Sequence, residues 1–126
     1  MEERRKRLVY VHTHGVDMPE RSATPLYLAS AAAAMDTDVC IYFTMNGPQL
    51  LRKGVPETVS PKNDGSGKPL QFFINQALQM GVKLYVCQPS LDLHNMTQDD
   101  LIDGVEMIGG AAFNDLVLDA DGTVTF

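Results

Sequence analysis

The sequence predicts an α/β fold of three layers, in which a mostly parallel sheet of about five strands carries helices on both faces. Short runs rich in β-branched and aromatic residues alternate along the chain with amphipathic or Ala-rich segments of helical length. Strands that alternate with helices form right-handed βαβ units, which build a parallel sheet covered on both sides. With 126 residues, the chain has the size of a single domain spanning residues 1–126.

The first strand is predicted at residues 8–12, and a polar loop containing Gly and Pro follows it. The first helix is expected to begin near Ser22 or Thr24, because a hydroxyl at its start caps free N–H groups and Pro25 suits the first turn. The Leu and Ala residues that follow form an apolar face suited to close packing on a sheet.

The apolar run at residues 39–44 predicts a fully buried second strand, after which residues 45–51 contain a short helix. The composition of residues 54–68 then shifts to Pro, Ser, Gly, Asn and Asp, which predicts a long loop. An amphipathic second helix is expected over residues 69–80, and Gly81 ends it.

The third strand is predicted at residues 82–87 and ends at Cys87, where the turn-forming residues 88–90 follow. Residues 97–100 are typical of a helix N-terminus, because their Asp side chains favour the positive end of the helix dipole. The remaining predicted elements are, in order, a strand at 105–108, a helix at 111–118 and a terminal strand at 123–126.

The net charge of −6 argues against nucleic acid as a partner, because phosphate binding requires clustered Lys and Arg. One basic cluster is present at residues 4–7, next to two Glu residues. We interpret residues 1–6 as a frayed, solvated lead-in to the first strand in preference to a binding arm.

No segment reaches the roughly 18 consecutive apolar residues that a membrane span requires, and no signal peptide is recognisable at the N-terminus. Two cysteines in a chain of this length do not form a disulfide framework. The sequence therefore predicts a cytoplasmic protein that has no membrane contact and keeps both thiols free.

Cys87 is the residue best placed for chemistry. Functional loops of a parallel sheet gather at the carboxyl ends of its strands, and Cys87 is the last residue of a predicted buried strand. A thiol reacts as the thiolate, which N–H groups at the start of a following turn or helix stabilise. The alternative, a thiol that only packs, has equal standing on position alone.

Cys40 lies in the middle of the most apolar strand, where burial raises a thiol pKa and blocks access, so a structural role is predicted for it. The chain contains no Cys-x-x-Cys motif, no complete phosphate-binding loop and no Gly-x-Ser-x-Gly elbow. These absences from the sequence leave Cys87 as the one candidate nucleophile.

His12, His14 and His94, together with Cys87, are the residues from which a zinc or copper site would be built. Their spacing matches no known ligand pattern, so the sequence predicts no metal and no cofactor, and a metal-binding module is the weakest of three interpretations. His14 is instead expected to support a thiolate or a bound anion at the same sheet edge.

Six segments of the chain together resemble the DsrE/DsrF-like family of small sulfur-relay proteins. The resemblance covers nearly the whole chain, and the last two segments are its most specific parts. The segments are Thr13-His14-Gly15, residues 19–23, residues 33–36, Gly47-Pro48, residues 84–87 and residues 97–106.

The resemblance implies a three-layer α/β subunit that assembles into homotrimers or hexamers. In active members, a cysteine at the position of Cys87 carries sulfur as a persulfide or a thiosulfonate. Such members exchange sulfur with a TusA-type carrier or another protein of a sulfur pathway. Many relatives have a second cysteine three positions later and then a basic stretch, whereas this chain has Ser90 and the non-basic residues 91–95.

The resulting prediction is a cytoplasmic sulfur carrier or sulfurtransferase-like protein. The Cys87 thiolate attacks the sulfane sulfur of a donor and later releases it to an acceptor thiol. His14, Asn46, Gln88 and Ser90 are the predicted binding residues. The loss of a second thiol favours a single-cysteine carrier. The alternative is a non-catalytic oligomeric binding subunit in which Cys87 is merely packed.

Overall fold

Five parallel strands form one sheet in the computed structural model, which describes residues 5–62 and 64–126. Their order across the sheet is β4-β3-β2-β1-β5, and each neighbouring pair is parallel. The strands are Arg7–His12 (β1), Asp38–Phe43 (β2), Lys83–Cys87 (β3), Val105–Ile108 (β4) and Gly122–Thr125 (β5). The helices are Thr24–Ala34 (α1), Leu70–Gln79 (α2), Gln88–Leu93 (α3) and Gly110–Leu118 (α4).

Helices cover both faces of the sheet, α1 and α2 on one face and α4 on the other. Val39, Ile41 and Phe43 of β2 belong to the buried core cluster, and α1 packs on this face against β1, β2 and α2. Alternate residues of a strand point to opposite faces. Tyr42 therefore lies on the other face, where its ring stacks on Phe113 of α4 at 4.0 Å between centroids. The predicted three-layer α/β class is confirmed.

The predicted start of α1 is correct in position and wrong in its cap. The helix begins at Thr24 with Pro25 in its first turn, but neither candidate hydroxyl caps it, and Ala23 occupies the N-cap position. The Ser22 hydroxyl donates a hydrogen bond to Pro19 O at 2.6 Å instead. That bond closes the short 3-10 helix Pro19–Arg21, which leads directly into α1.

One further local prediction differs from the structure, and one that was open is decided. Residues 88–90, expected to begin a turn or a helix, form the first turn of α3, where Pro89 is compatible with an N-terminal helical position. The helix start predicted at residues 97–100 is a single 3-10 turn, Gln98–Asp100, with the side chains of Thr97 and Asp100 forming a capping box. It ends at once because Leu101 is extended and pairs with Arg52.

The segment 54–68 lies largely on the surface but is attached to the body of the protein. Val59 is buried, and its carbonyl accepts the Leu70 N–H at 2.9 Å, which ties the segment to the start of α2. Asn63, within the predicted loop, lies outside the described residues.

The described part of the N-terminal lead-in contacts the amino-terminal edge of the sheet. Arg5 forms an ion pair with Asp38 at 3.3 Å, and Lys6 O accepts the Asp38 N–H at 2.9 Å. Residues 1–4, including Arg4 of the basic cluster, lie outside the described residues. No helix in the described ranges is long and apolar enough to cross a membrane.

His12, the last residue of β1, faces the core and not the solvent. Its side chain is fully buried, neither ring nitrogen has a hydrogen-bond partner, and its ring meets Phe43 edge-on at 5.4 Å. Burial, with a smaller contribution from repulsion by His14, lowers the pKa of His12 from 6.5 to about 4. The imidazole is therefore neutral in the folded protein near neutral pH.

His12→Leu is expected to remove much of the acid sensitivity of the fold. The unfolded chain binds a proton at His12 below pH 6.5, while the folded chain resists it until about pH 4. His12 by itself therefore accounts for a loss of about 3 kcal/mol of unfolding free energy as the pH falls from 7 to 4. Urea unfolding at both pH values measures this loss.

The replacement of a different histidine, His94→Gln, is the control and should retain the acid-dependent loss of stability. An equal loss in the wild type and in His12→Leu would show that His12 does not stay neutral through this pH range.

Candidate functional site

Cys87 occupies the junction between β3 and α3. It is the last residue of the strand and the N-cap of the helix, and its side chain is half-buried. The junction lies at the carboxyl edge of the parallel sheet, where such folds gather their functional groups. The thiol is thus close to the surface without being fully exposed to it.

The pairing of β2 with β3 places two hydroxyl groups beside Cys87. The register aligns Phe43 of β2 with Val86 of β3. The residues that follow them, Thr44 and Cys87, therefore lie side by side. Tyr42 is two residues before Thr44 and projects from the same face. Both hydroxyl groups lower the pKa of the Cys87 thiol through hydrogen bonding.

Ser90 contributes a third hydroxyl and a backbone N–H. It lies three residues after the N-cap, and both its N–H and its hydroxyl lower the pKa of the Cys87 thiol through hydrogen bonding. The Ser90 side chain is buried, its Oγ accepts the Met45 N–H at 3.0 Å, and it lies 3.3 Å from Thr44 Oγ1. Ser90, the residue that stands where the resemblance implies a second cysteine, thus acts on the thiol.

These donors lower the pKa of Cys87 against the effect of burial. Partial burial is the largest single influence and would raise the pKa, but the hydrogen bonds from Ser90, Tyr42 and Thr44 together outweigh it. The net pKa lies below the ordinary thiol value. The site therefore stabilises a thiolate with neutral donors, and this is the state that reacts.

Cys40 provides an internal contrast. It is buried in the middle of β2, and burial raises the pKa of its thiol to about 11. Both cysteines are free, and Cys40 is aligned with Lys83, four residues before Cys87 on β3. The predicted structural role of Cys40 agrees with this burial.

The stacking of Phe113 on Tyr42 protects one of the donors. The two rings are 4.0 Å apart at an interplanar angle of 20°, and Tyr42 is buried. Burial, and then the hydrogen bond to Cys87, raise the pKa of Tyr42. The phenol therefore stays protonated and remains a hydrogen-bond donor at any physiological pH.

Of the four predicted binding residues, only Ser90 is among the groups that act on Cys87. Gln88 is the exposed first residue of α3. His14 packs near His12, with their ring centroids 6.4 Å apart. Asn46 is exposed, and its N–H donates to Thr13 O at 3.2 Å. Within the described residues, no group of three or more His, Cys, Asp or Glu is arranged to hold a metal ion.

Sequence reasoning missed Tyr42 and Thr44. A usable signal was present, because the two hydroxyl-bearing residues alternate along an otherwise apolar strand and so share a face. What the sequence did not contain was the identity of the neighbouring strand. Phe113 carried no signal at all, because its partner lies on a strand that precedes it by some seventy positions.

The sequence and the fold both match known proteins. Residues 6–126 match the DsrE/DsrF-like family. A sulfur carrier protein, DsrE2 of Allochromatium vinosum, is 28% identical over 134 aligned positions that cover 77% of this chain and 84% of the relative. An uncharacterised protein of Methanocaldococcus jannaschii is 28% identical over 106 residues, which is 84% of this chain but 38% of that protein.

Two solved structures share the fold. The ychN protein of E. coli superimposes with a TM-score of 0.79 at 21% identity, over 96% of this chain and 99% of the other. A protein of unknown function from Methanobacterium thermoautotrophicum gives a TM-score of 0.63 at 14% identity, over 98% of this chain and all of the other.

Tyr42→Phe is expected to raise the pKa of Cys87, because it removes a donor that favours the thiolate. For each unit of increase, the thiolate fraction at pH 7 falls about tenfold while the intrinsic nucleophilicity rises about threefold. Alkylation by iodoacetamide at pH 7 should therefore slow by about threefold per unit. The rate is measured in a Cys40→Ala background, so that one thiol is followed.

Tyr85→Phe is the matched control, because Tyr85 is the register partner of Tyr42 on β3 and is not among the groups that act on Cys87. Equal alkylation rates in both variants would mean that the Tyr42 hydroxyl does not stabilise the thiolate.

Proposed function

Because the chain belongs to the DsrE/DsrF-like family, we propose that it is a sulfur carrier that takes sulfane sulfur onto Cys87 and passes it to an acceptor thiol. The convergence of Ser90, Tyr42 and Thr44 on the thiol is the observation that carries the proposal, since these donors stabilise the nucleophilic thiolate. The sulfur carrier name of the DsrE2 relative supports the same role.

The transfer needs no external oxidant. The Cys87 thiolate attacks the outer sulfur of a donor persulfide, a new S–S bond forms, and the donor's S–S bond breaks. The electron pair of the broken bond leaves with the donor as its thiolate. An acceptor thiolate then attacks the outer sulfur of the Cys87 persulfide, and Cys87 is released in its original state.

The position of the second thiol favours a carrier over a multi-step transferase. Cys40 is aligned with Lys83, so it lies four residues, or about 13 Å, along the sheet from Cys87. Two cysteines this far apart cannot form a disulfide without moving the backbone. The loaded Cys87 therefore has no partner thiol within its own described chain, and the sulfur leaves on another molecule.

The acceptor in this proposal is a protein thiol, such as that of a TusA-type carrier. Two exposed apolar side chains, Met45 and Leu93, flank the site on the loop after β2 and on α3. Exposed apolar groups beside a reactive atom suit brief docking of a partner protein. Cytoplasmic location and persulfide as the cargo are parts of the same proposal.

Incubation with polysulfide is expected to add sulfur atoms to the wild-type protein and to Cys40→Ala, but not to Cys87→Ser. Intact-mass measurement before and after treatment with a reducing thiol distinguishes reversible loading from irreversible oxidation. Parallel incubations with thiosulfate and tetrathionate report whether the site also accepts a thiosulfonate.

The result that contradicts the proposal is a mass that does not change, or a modification that persists in Cys87→Ser. Either outcome would favour the alternative function, an oligomeric binding subunit in which Cys87 only packs. That alternative also predicts a thiol that iodoacetamide reaches only after unfolding.

The proposal includes assembly into a homo-oligomer, a trimer or hexamer, through the outer face of α1. This helix contains no charged residue, yet Tyr27 and Met35 are 62% and 76% exposed. With Ala31 they form a stripe at a spacing of four residues on one side of the helix. In a chain of net charge −6, an uncharged apolar face is where a second copy meets the least repulsion.

Ala31→Arg is expected to dissociate the oligomer, because it places a charge in the middle of the apolar stripe. Gln79→Arg, which makes the same charge change at the exposed end of α2, should leave the assembly intact. Light scattering coupled to size-exclusion chromatography gives the mass of each variant. A wild-type protein that is monomeric at all concentrations would remove this part of the proposal.

A further inference from the structure

Met45 lies beside the site in a backbone conformation that non-glycine residues rarely adopt. Its φ of 56° is in the left-handed region, and its side chain is 57% exposed, so side-chain packing does not hold it there. Both polar groups of its backbone are instead held by the α3 segment. The Met45 N–H donates to Ser90 Oγ at 3.0 Å, and the Met45 carbonyl lies 2.8 Å from His94 Nε2.

The hydrogen positions in this cluster follow from two backbone groups with fixed roles, an N–H that can only donate and a carbonyl that can only accept. The Val16 N–H donates to Gln49 Oε1 at 3.2 Å, so the amide nitrogen of Gln49 faces His94 Nδ1 at 3.3 Å. That nitrogen donates, and Nδ1 therefore accepts. The proton of the neutral imidazole is then on Nε2 and is donated to the Met45 carbonyl, which accepts only.

Gly15 is required for this arrangement. A Cβ atom at Gly15 would overlap the Gln49 side-chain oxygen and would lie 2.6 Å from Asn46 O. Only glycine lets the loop after β1 approach Gln49 closely enough for the neighbouring Val16 N–H to orient its amide. The chain of hydrogen bonds therefore links the loops after β1 and β2 to the end of α3.

The hydrogen bond from the Met45 N–H also restricts the orientation of the Ser90 hydroxyl. Its oxygen accepts the Met45 N–H, so its proton points away from Met45, toward Cys87 and toward Thr44 Oγ1 at 3.3 Å. If the Met45 N–H turned away, Ser90 would lose this interaction, and its hydroxyl would be free to reorient. The backbone conformation of Met45 thus bears on the thiolate through Ser90.

We infer that His94 is a positioning residue for Cys87: with Gln49 it holds the Met45 carbonyl and so the backbone conformation of Met45, and through the Met45 N–H and Ser90 it keeps a hydrogen-bond donor near the thiol. The inference rests on the proposed function, since it concerns the reactivity of the sulfur-carrying residue. His94 itself is not among the groups that act on the thiol, and its ring nitrogens contact the Met45 carbonyl and the Gln49 amide. The cluster also gives a structural use to a histidine that the sequence offers only as a metal ligand.

The test is the pH profile of Cys87 alkylation by iodoacetamide in a Cys40→Ala background. His94→Ala should shift the profile to higher pH and slow the reaction at pH 7, by about threefold for each unit of the shift. His94→Gln should restore most of the rate, because its amide N–H can occupy the place of Nε2 and donate to the Met45 carbonyl.

A double-mutant cycle with Ser90→Ala separates this mechanism from a general loss of structure. If His94 acts through Ser90, His94→Ala has no further effect on the profile once Ser90 is alanine. An equal shift in both backgrounds, or an unshifted profile in folded His94→Ala, overturns the inference. Gln49→Leu keeps His94 but removes its orienting amide, and it decides the question if His94→Ala does not fold.

The result is independent of sulfur transfer, because iodoacetamide reacts with the thiolate whether or not the protein carries sulfur. A protein that shows the His94 effect but is not modified by polysulfide would refute the proposed function and leave the positioning role of His94 intact. A protein that takes up sulfur on Cys87 but shows no His94 effect would support the proposed function and refute the positioning role of His94.

Discussion

The parallel register between β2 and β3 is the constraint on which the site depends. It places Thr44 beside Cys87 and, through the two-residue period of a strand, brings Tyr42 to the same face. A shift of one residue would turn both hydroxyl groups to the opposite face, where they would face the apolar core and not Cys87. The same core favours this register, because Ile41 and Phe43 are buried in it and a one-residue shift would turn them to the other face. Packing on one face of the sheet thus determines the chemistry on the other.

The two cysteines show how local donors decide the state of a thiol. Both project from strands of the same sheet, and burial acts on both in the same direction, toward the neutral form. Cys40 lies within a strand whose backbone groups are engaged with its neighbours, and its pKa is raised to about 11. Cys87 lies where the strand ends and a helix begins, so free donors are available to it. The end of a regular element is therefore what allows a half-buried thiol to become the more acidic of the pair.

Much of the fold follows from patterns that a short segment contains by itself. Strand β2 is a continuous apolar run, α2 has an amphipathic period, and Gly81 ends α2 with a positive φ of 87°. The errors arose where a competing contact, local for Ser22 and tertiary for Leu101, overrides the preference of the residue type. Ser22 has a suitable residue type for a cap but hydrogen-bonds Pro19 O, and residues 97–100 stop after one 3-10 turn because Leu101 pairs with Arg52.

The sequence by itself determined the α/β class, the order of the strands along the chain and the candidacy of Cys87, because each depends on residues within about ten positions of one another. Only the tertiary structure decided which groups surround the sulfur. Tyr42 and Ser90 are 48 positions apart, and the bond from His94 to Met45 spans 49. Such partners meet through strand order and crossover geometry. These are properties of the whole sheet, and no local pattern of residue types encodes them.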